Sequence, residues 1–383
     1  EKAGVKVIPS RLSILTKRIN NERGVCYYCG QCGRSCGVYA DFSASSCLVF
    51  PAQRSSQGRL DLYVNSMVRE ISVDNDGKAN GIIYINKEDN KEYKINAKVV
   101  VLAASACESA RILLNSKSKY HEYGIGNSSN MVGKYLHDST GTNNMAFIPD
   151  LMNRKTYNED GMGNMHLYTP WWLDNKNLDF PRGYHIEVWG GLGAPAYGFG
   201  FNYNSLNKYF GIEIGGYGDR VREEVKKYYG STIGFSTRGE AVPNKNNYCE
   251  IDPEKKDKYG IPVLRFNYKW SDYERKQAKH MNETVKKIVH NIGGHMLWEN
   301  KGPEHGLLTP GEVIHEVGTT RMGNDPNTSV VNKYEQLHDS KNVFIVDGGP
   351  FVSQADKNPT WTIMALSWRT SEYIVDQLKK QNI

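Results

Sequence analysis

The sequence predicts a mixed α/β (α+β) chain in which a discontinuous, Rossmann-like domain is interrupted by an antiparallel-sheet domain. Three observations predict it. Residues 98–115 (KVVVLAASACESARILLN) pass from an unbroken apolar strand through small residues into apolar positions at helical spacing, the order of a dinucleotide-domain crossover. From about residue 140 to 270 the pattern changes to alternating stretches, the period of half-buried antiparallel strands. After Gly318 the chain returns to a buried strand, NVFIV, and a terminal helix over 359–380. The expected domains are therefore 1–136 with 310–383, and 137–309 between them.

In chain order, residues 5–20 read as a short strand and a basic connection, and residues 24–58 as a loop region rich in Cys, Gly and Ser. LDLYVNSMVREISVD, GKANGIIYINK and KEYKINAKVVVLAA read as three strands. Asn75-Asp76-Gly77 and Glu88-Asp89-Asn90 between them favour hairpin turns. The third strand ends in an apolar run suited to burial on both faces. RGYHIEVWGG, KYFGIEIGGYG, GSTIGFSTRGE and YGIPVLRFNYKW alternate and predict the antiparallel sheet. Residues 272–292 form a long amphipathic helix that starts at a Ser271/Asp272 cap.

The bulk properties exclude some classes. The 383 residues suffice for one large domain or two intertwined ones. A net charge of +6 leaves no nucleic-acid footprint. The longest apolar runs, such as 99–104, fall far short of the roughly 20 residues that span a bilayer. The 24 Tyr and 7 Trp suit carbohydrate faces, although packing alone accounts for such rings. No signal peptide or initiator Met is visible, and no G-x-G-x-x-G follows a strand, since Gly30 and Gly33 lie among cysteines. The expectation is a fragment that lacks a diphosphate-binding first βαβ unit.

Three segments of the tail carry chemistry. GEVIHEVGTTRMG offers a lone histidine, His315; NVFIVDGGPF places Asp347-Gly348 after a strand; KNPTWTIMALSWR opens a helix with Asn358-Pro359-Thr360. An imidazole with an ordinary pKa of about 6.5 accepts a proton from a hydroxyl. An asparagine amide holds the same oxygen without adding charge. A helix N-terminus presents N–H groups to negative charge. Each also has a plain structural reading: a satisfied histidine, an Asp-Gly turn, and Asn358 as the cap of a helix starting at Pro359.

The order and wording of these segments resemble the C-terminal signature of the glucose-methanol-choline (GMC) flavoprotein oxidoreductases, in the bacterial branch that oxidises sugars, polyols and sugar acids. The resemblance implies FAD as cofactor, His315 as base and Asn358 as its partner. It places Asp347, Gly348, Pro359 and Thr360 at the flavin side, the main chain of Val68 at the adenine, and Ala104 and Ser105 in a small-residue turn near the cofactor. Family members often have Gly where Ser105 stands. It also implies an exported, periplasmic enzyme, with a small subunit and a c-type cytochrome as partners.

Cys26, Cys29, Cys32 and Cys36 form C-x2-C-x2-C-x3-C, the run of bacterial ferredoxins, with Gly37 where that run has Pro. An iron–sulfur cluster, disulfides or free thiols, and zinc all remain open for it. Some sugar-dehydrogenase relatives pass flavin electrons through an iron–sulfur cluster to a cytochrome. Cys47, Cys107 and Cys249 read as buried thiols.

On the substrate side, Glu240 and Asn247 are pocket candidates, Trp171, Trp172 and Trp189 are sugar-stacking candidates, and His137 lies in a segment resembling one beside the flavin. For these residues packing or loop roles come first. The expected function is an FAD-dependent oxidoreductase that takes hydride from a sugar, glycoside or sugar-acid hydroxyl and passes electrons to a cytochrome-like acceptor. The alternatives are an oxygen-using oxidase of a sterol or small alcohol, and a non-catalytic, cysteine-rich binding subunit.

Overall fold

A computed structural model describes residues 2–10, 12–29, 35–153, 167–170, 177–189, 203–211, 217–301 and 303–383. Cys32, Trp171, Trp172 and residues 212–216 of KYFGIEIGGYG lie outside them. The chain divides into two compact units, one of Glu1–Leu62, Gly141–Gly239 and Arg275–Leu308, the other of Tyr63–Thr140, Glu240–Glu274 and Thr309–Ile383. The expected domains are 1–136 with 310–383, and 137–309. They differ at residues 1–62, which cluster with the antiparallel sheet, and at 240–274, which cluster with the tail.

The first unit is built on a six-stranded sheet. Its strands are β1 (Ile8–Pro9), β6 (Asn143–Phe147), β7 (Leu167–Thr169), β8 (Tyr184–Trp189), β9 (Thr232–Gly239) and β12 (His295–Glu299), ordered β1-β7-β8-β9-β6-β12 with every pair antiparallel. Helix α5 (Asp272–Asn291) supplies Met281, Val285, Ile288 and Val289, a stripe at helical spacing, to a core shared with Ala146, Ile186 and Phe235. The N-terminus of α5 is closed by a reciprocal cap. Ser271 Oγ accepts the Tyr273 N–H at 3.3 Å, and Glu274 accepts the Ser271 N–H at 2.7 Å and its hydroxyl. Shorter helices, α1 (Phe50–Ser55), α3 (Tyr203–Phe210) and α4 (Asp219–Tyr228), and the left-handed turn α6 (Pro303–Gly306), with Glu304 at φ +61° and His305 at φ +62°, complete this unit.

The second unit holds a three-stranded meander, β2 (Ser66–Val73), β3 (Ala79–Asn86) and β4 (Glu92–Asn96), joined by the two expected turns. Beside it β5 (Val100–Leu102) pairs in parallel with β13 (Val343–Ile345), the only parallel pair of named strands among the described residues. Helix α2 (Ala106–Asn115) follows β5 and buries Ala110, Leu113 and Leu114 against Ile71, Leu102 and Ile345. The crossover motif thus forms as its period predicts.

Two expectations are corrected. KEYKINAKVVVLAA is not one strand: Ala97 donates to Asn80 O at 2.9 Å, the meander ends there, and β5 starts a different sheet. Nor is its end buried on both faces, since Val101 is 47% exposed. YGIPVLRFNYKW does not join the six-stranded sheet. It forms β11 (Pro262–Asn267) of a separate hairpin with β10 (Tyr248–Lys256) in the second unit. Alternation fixes a strand's face but not its partner.

The last helix, α7 (Thr360–Lys379), starts one residue after the expected position. Pro359 occupies the N-cap place and no side chain caps the helix, so Asn358 is not its cap. Only Thr370 of α7 is buried, while Trp361, Met364, Trp368 and Val375, which share one helical face, are exposed.

Candidate active site

The segment carrying His315 is held by backbone pairing on two sides. Gly318, Thr320 and Met322 donate N–H to the carbonyls of Gly348, Gly349 and Pro350 at 3.1, 3.0 and 2.9 Å. His137 and Val317 exchange both backbone bonds, at 3.0 and 2.9 Å. Such close approach restricts the residues. Gly318 has φ +102°, and a Cβ there would lie 2.3 Å from Tyr135 O.

Asp138 ties the loop before this segment. Its Oδ1 accepts the His315 N–H and its Oδ2 the Gly311 N–H, both at 3.0 Å. The carboxyl is buried, and burial is the first cause that pushes its pKa up, to about 6; the N–H bonds pull the other way, and the Glu316 charge adds to the rise. Ile314, just before the histidine, is 75% exposed and has φ +61°, a conformation rare for a β-branched residue.

The imidazole of His315 is half-buried between two side chains. Its Nε2 lies 3.2 Å from Asn358 Nδ2, and its Nδ1 lies 3.4 Å from Ser139 Oγ. The Gln354 amide donates to the same Ser139 oxygen at 2.9 Å. The structure thus brings His315 and Asn358 together. It adds Asp138, Ser139 and Gln354, which carry no periodic signal. His137, which shares their segment, is buried with Nδ1 2.7 Å from Tyr135 O.

A second cluster sits at the carboxyl ends of β5 and β13. Asp347 is buried, accepting the Ser109 hydroxyl at 2.5 Å and the Gly349 N–H at 2.8 Å. Burial raises its pKa, against the Ser109 bond and the N–H groups of Gly349, Ser105 and Ala104. Its carboxylate therefore joins β13 to the turn before α2. Ser105 in that turn is exposed with φ +84° and ψ 159°, a region populated almost only by glycine. Gly348 packs against Val317, where a Cβ would meet Cγ1 at 3.0 Å. Val68 is half-buried in β2, opposite Tyr84. A pocket of about 330 Å³ opens beside the cluster, lined among others by Ser105, Cys107, Asp138, Tyr268 and Glu316.

These residues fit the flavin end of a dinucleotide. Thr320 Oγ1 and Gln354 Oε1 are buried acceptors without a partner among the described residues, and the uncapped first turn of α7 follows Asn358 in the chain. Asn247 is committed to structure: its side chain exchanges bonds with the Lys269 backbone at 3.2 and 3.0 Å. Glu240 is half-buried, and Trp189 lies at the end of β8, partly exposed.

The cysteine run lies in the first unit. Cys26 Sγ accepts the Tyr28 N–H at 3.4 Å and Cys36 Sγ the Ala40 N–H at 3.3 Å. Burial and, less, the Asp41 charge raise the Cys36 thiol, yet the N–H groups of Asp41, Val38 and Ala40 leave it below the usual thiol value. Among the described residues no group of three or more His, Cys, Asp or Glu is placed to hold a metal ion. Cys249 is buried, whereas Cys47 and Cys107 are half-buried, a correction to the expected burial.

Models of the GMC oxidoreductase family match residues 10–140 and 243–367. The chain is 30% identical to 2-methyl-1,2-propanediol dehydrogenase of Mycolicibacterium austroafricanum over 82% of this chain and 54% of that protein. It is 26% identical to the fructose dehydrogenase large subunit of Gluconobacter japonicus over 87% of this chain and 57% of that protein. The chain thus spans about half the length of these curated relatives. The crystal structure of pyridoxine 4-oxidase from Mesorbium loti matches in fold, with a TM-score of 0.59 and 16% identity, over 87% of this chain and 61% of that one.

Proposed function

The chain belongs to the GMC oxidoreductase family, and from that premise we propose that it serves an FAD-dependent dehydrogenase of a sugar, glycoside or sugar-acid hydroxyl. The observation that carries the reading is the His315–Asn358 pair, with imidazole Nε2 and amide Nδ2 3.2 Å apart. Bound FAD supplies the hydride acceptor, so that the alcohol carbon leaves as a carbonyl. The substrate oxygen takes over the Asn358 N–H that otherwise faces Nε2, which frees the Nε2 lone pair to accept the hydroxyl proton. Asp138 and the ladder to Gly348–Pro350 keep the imidazole in place. Residues 104–105, 320, 347–349 and 358–360 are proposed to surround the flavin end.

The proposed electron acceptor is a cytochrome-like protein, reached through an iron–sulfur cluster on Cys26, Cys29, Cys32 and Cys36. The C-x2-C-x2-C-x3-C spacing supports this. The fructose dehydrogenase relative is named a large subunit, which supports assembly with a further chain. The exposed apolar face of α7 offers one place for another element to pack.

The test is an anaerobic absorption spectrum of the purified protein before and after a panel of sugars and glycosides. Flavin bands that bleach with one of them support the reading. A flavin that no alcohol reduces, or a colourless protein, overturns it.

A further inference from the structure

Resting on that reading, we propose that Ser139 is a positioning residue that fixes the tautomer of His315, leaving the lone pair on Nε2. The geometry gives the direction of each bond. Asn358 Nδ2 is a donor only, so the Nε2 it faces at 3.2 Å is an acceptor and the ring proton sits on Nδ1. The Nδ1–H then needs an acceptor, and Ser139 Oγ lies 3.4 Å away. The tautomer of a histidine is set by the bond its second nitrogen makes.

Ser139 is itself held. It is buried, and Gln354 Nε2 donates to its Oγ at 2.9 Å. A hydroxyl oxygen has two lone pairs, enough for both donors. The Ser139 N–H donates to Asp138 Oδ1 at 2.8 Å, and the His315 N–H reaches that same oxygen at 3.0 Å. One carboxylate oxygen therefore fixes the backbone of the serine relative to the backbone of the histidine it faces. The His137–Val317 exchange immediately beside them keeps the two segments in register. Asp138 and Glu316 are the carboxylates of this neighbourhood, and Asp138 accepts the His315 and Gly311 N–H groups.

The experiment is ¹⁵N NMR of the protein labelled at histidine, with the His315 signals assigned by their absence in His315→Gln. The wild-type ring should show a protonated Nδ1 and an unprotonated Nε2. Ser139→Ala should shift the population toward Nε2–H and lower the anaerobic flavin-reduction rate about tenfold to a hundredfold, with little change in KM. Ser139→Thr keeps the hydroxyl and should restore both. A wild-type ring protonated on Nε2 overturns the assignment without any variant. So does an unchanged tautomer in Ser139→Ala. Loss of the functional reading is visible separately, as a wild-type flavin that no alcohol reduces while the tautomer still follows Ser139.

Discussion

His315 and Asn358 are 43 positions apart in the chain, yet their side chains meet at 3.2 Å between Nε2 and Nδ2. The contact depends on the ladder that runs from Gly318 to Met322 beside Gly348 to Pro350, because that ladder brings the two segments to one edge. An imidazole and a neutral amide therefore lie side by side in this unit.

His315→Ala should retain FAD and lower the rate of flavin reduction by roughly two to four decades, the usual contribution of a general base. Asn358→Ala should cost less, about one to two decades, since it removes one hydrogen bond and no proton acceptor. Stopped-flow reduction under anaerobic conditions measures both. An unchanged rate in His315→Ala removes it from the mechanism.

Gly318→Ala should damage the same site from outside it. The added methyl meets Tyr135 O at 2.3 Å and lies 2.7 Å from His137 Nδ1, and φ +102° is strained for any L side chain. We expect a loss of several kcal/mol in denaturant unfolding, on the order of other special-φ sites with a backbone clash. Wild-type stability in this variant means that the ladder is not packed this closely.

The pair was legible in the sequence because each member sits in a short, ordered motif. The hairpin turns, α2, α5 and β13 were legible because local period and cap chemistry specify them. The pairing partners were not. Nothing in residues 92–104 says that Asn96 ends one sheet and Val100 begins another, because an apolar run carries no record of what lies beside it. Asp138 and Ser139 escaped notice for the same reason. Their partners around His315 lie 173–177 positions away in sequence, and polar residues in a loop show no period.

Stability should fall as pH rises from about 4 to 7. Glu335 is fully buried, and burial pushes its carboxyl up to about 7 despite the Thr370 hydroxyl at 2.7 Å; Asp138 is raised to about 6. In the unfolded chain both titrate near 4. The folded state thus binds more protons across that window, and its stability is lost as pH climbs through the folded values. Glu335→Gln should flatten the decline by on the order of 2–3 kcal/mol between pH 4 and 8. Parallel wild-type and variant profiles in pH-dependent unfolding contradict a buried, neutral Glu335.

Cys29→Ser tests the electron path apart from the chemistry. It should spare flavin reduction by substrate and impair transfer to a cytochrome acceptor, with loss of bound iron and sulfide. Equal loss of both half-reactions points to a structural role, and zinc in place of iron removes the path.

Ser105→Gly should stabilise the protein, an unusual direction for a substitution to glycine. Gly ordinarily costs about 0.4–1 kcal/mol through the entropy of the unfolded chain. Here serine holds φ +84° and ψ 159°, a conformation whose strain is about 1–3 kcal/mol for a residue with a Cβ. Its side chain makes no capping bond for α2, so glycine forfeits no such contact. The strain is the larger of the two, and a net gain of about 1 kcal/mol should raise Tm by a few degrees. A lower Tm means that Ser105 does not adopt this conformation. A slower flavin reduction at higher Tm would instead show that the turn holds its serine for the proposed cofactor.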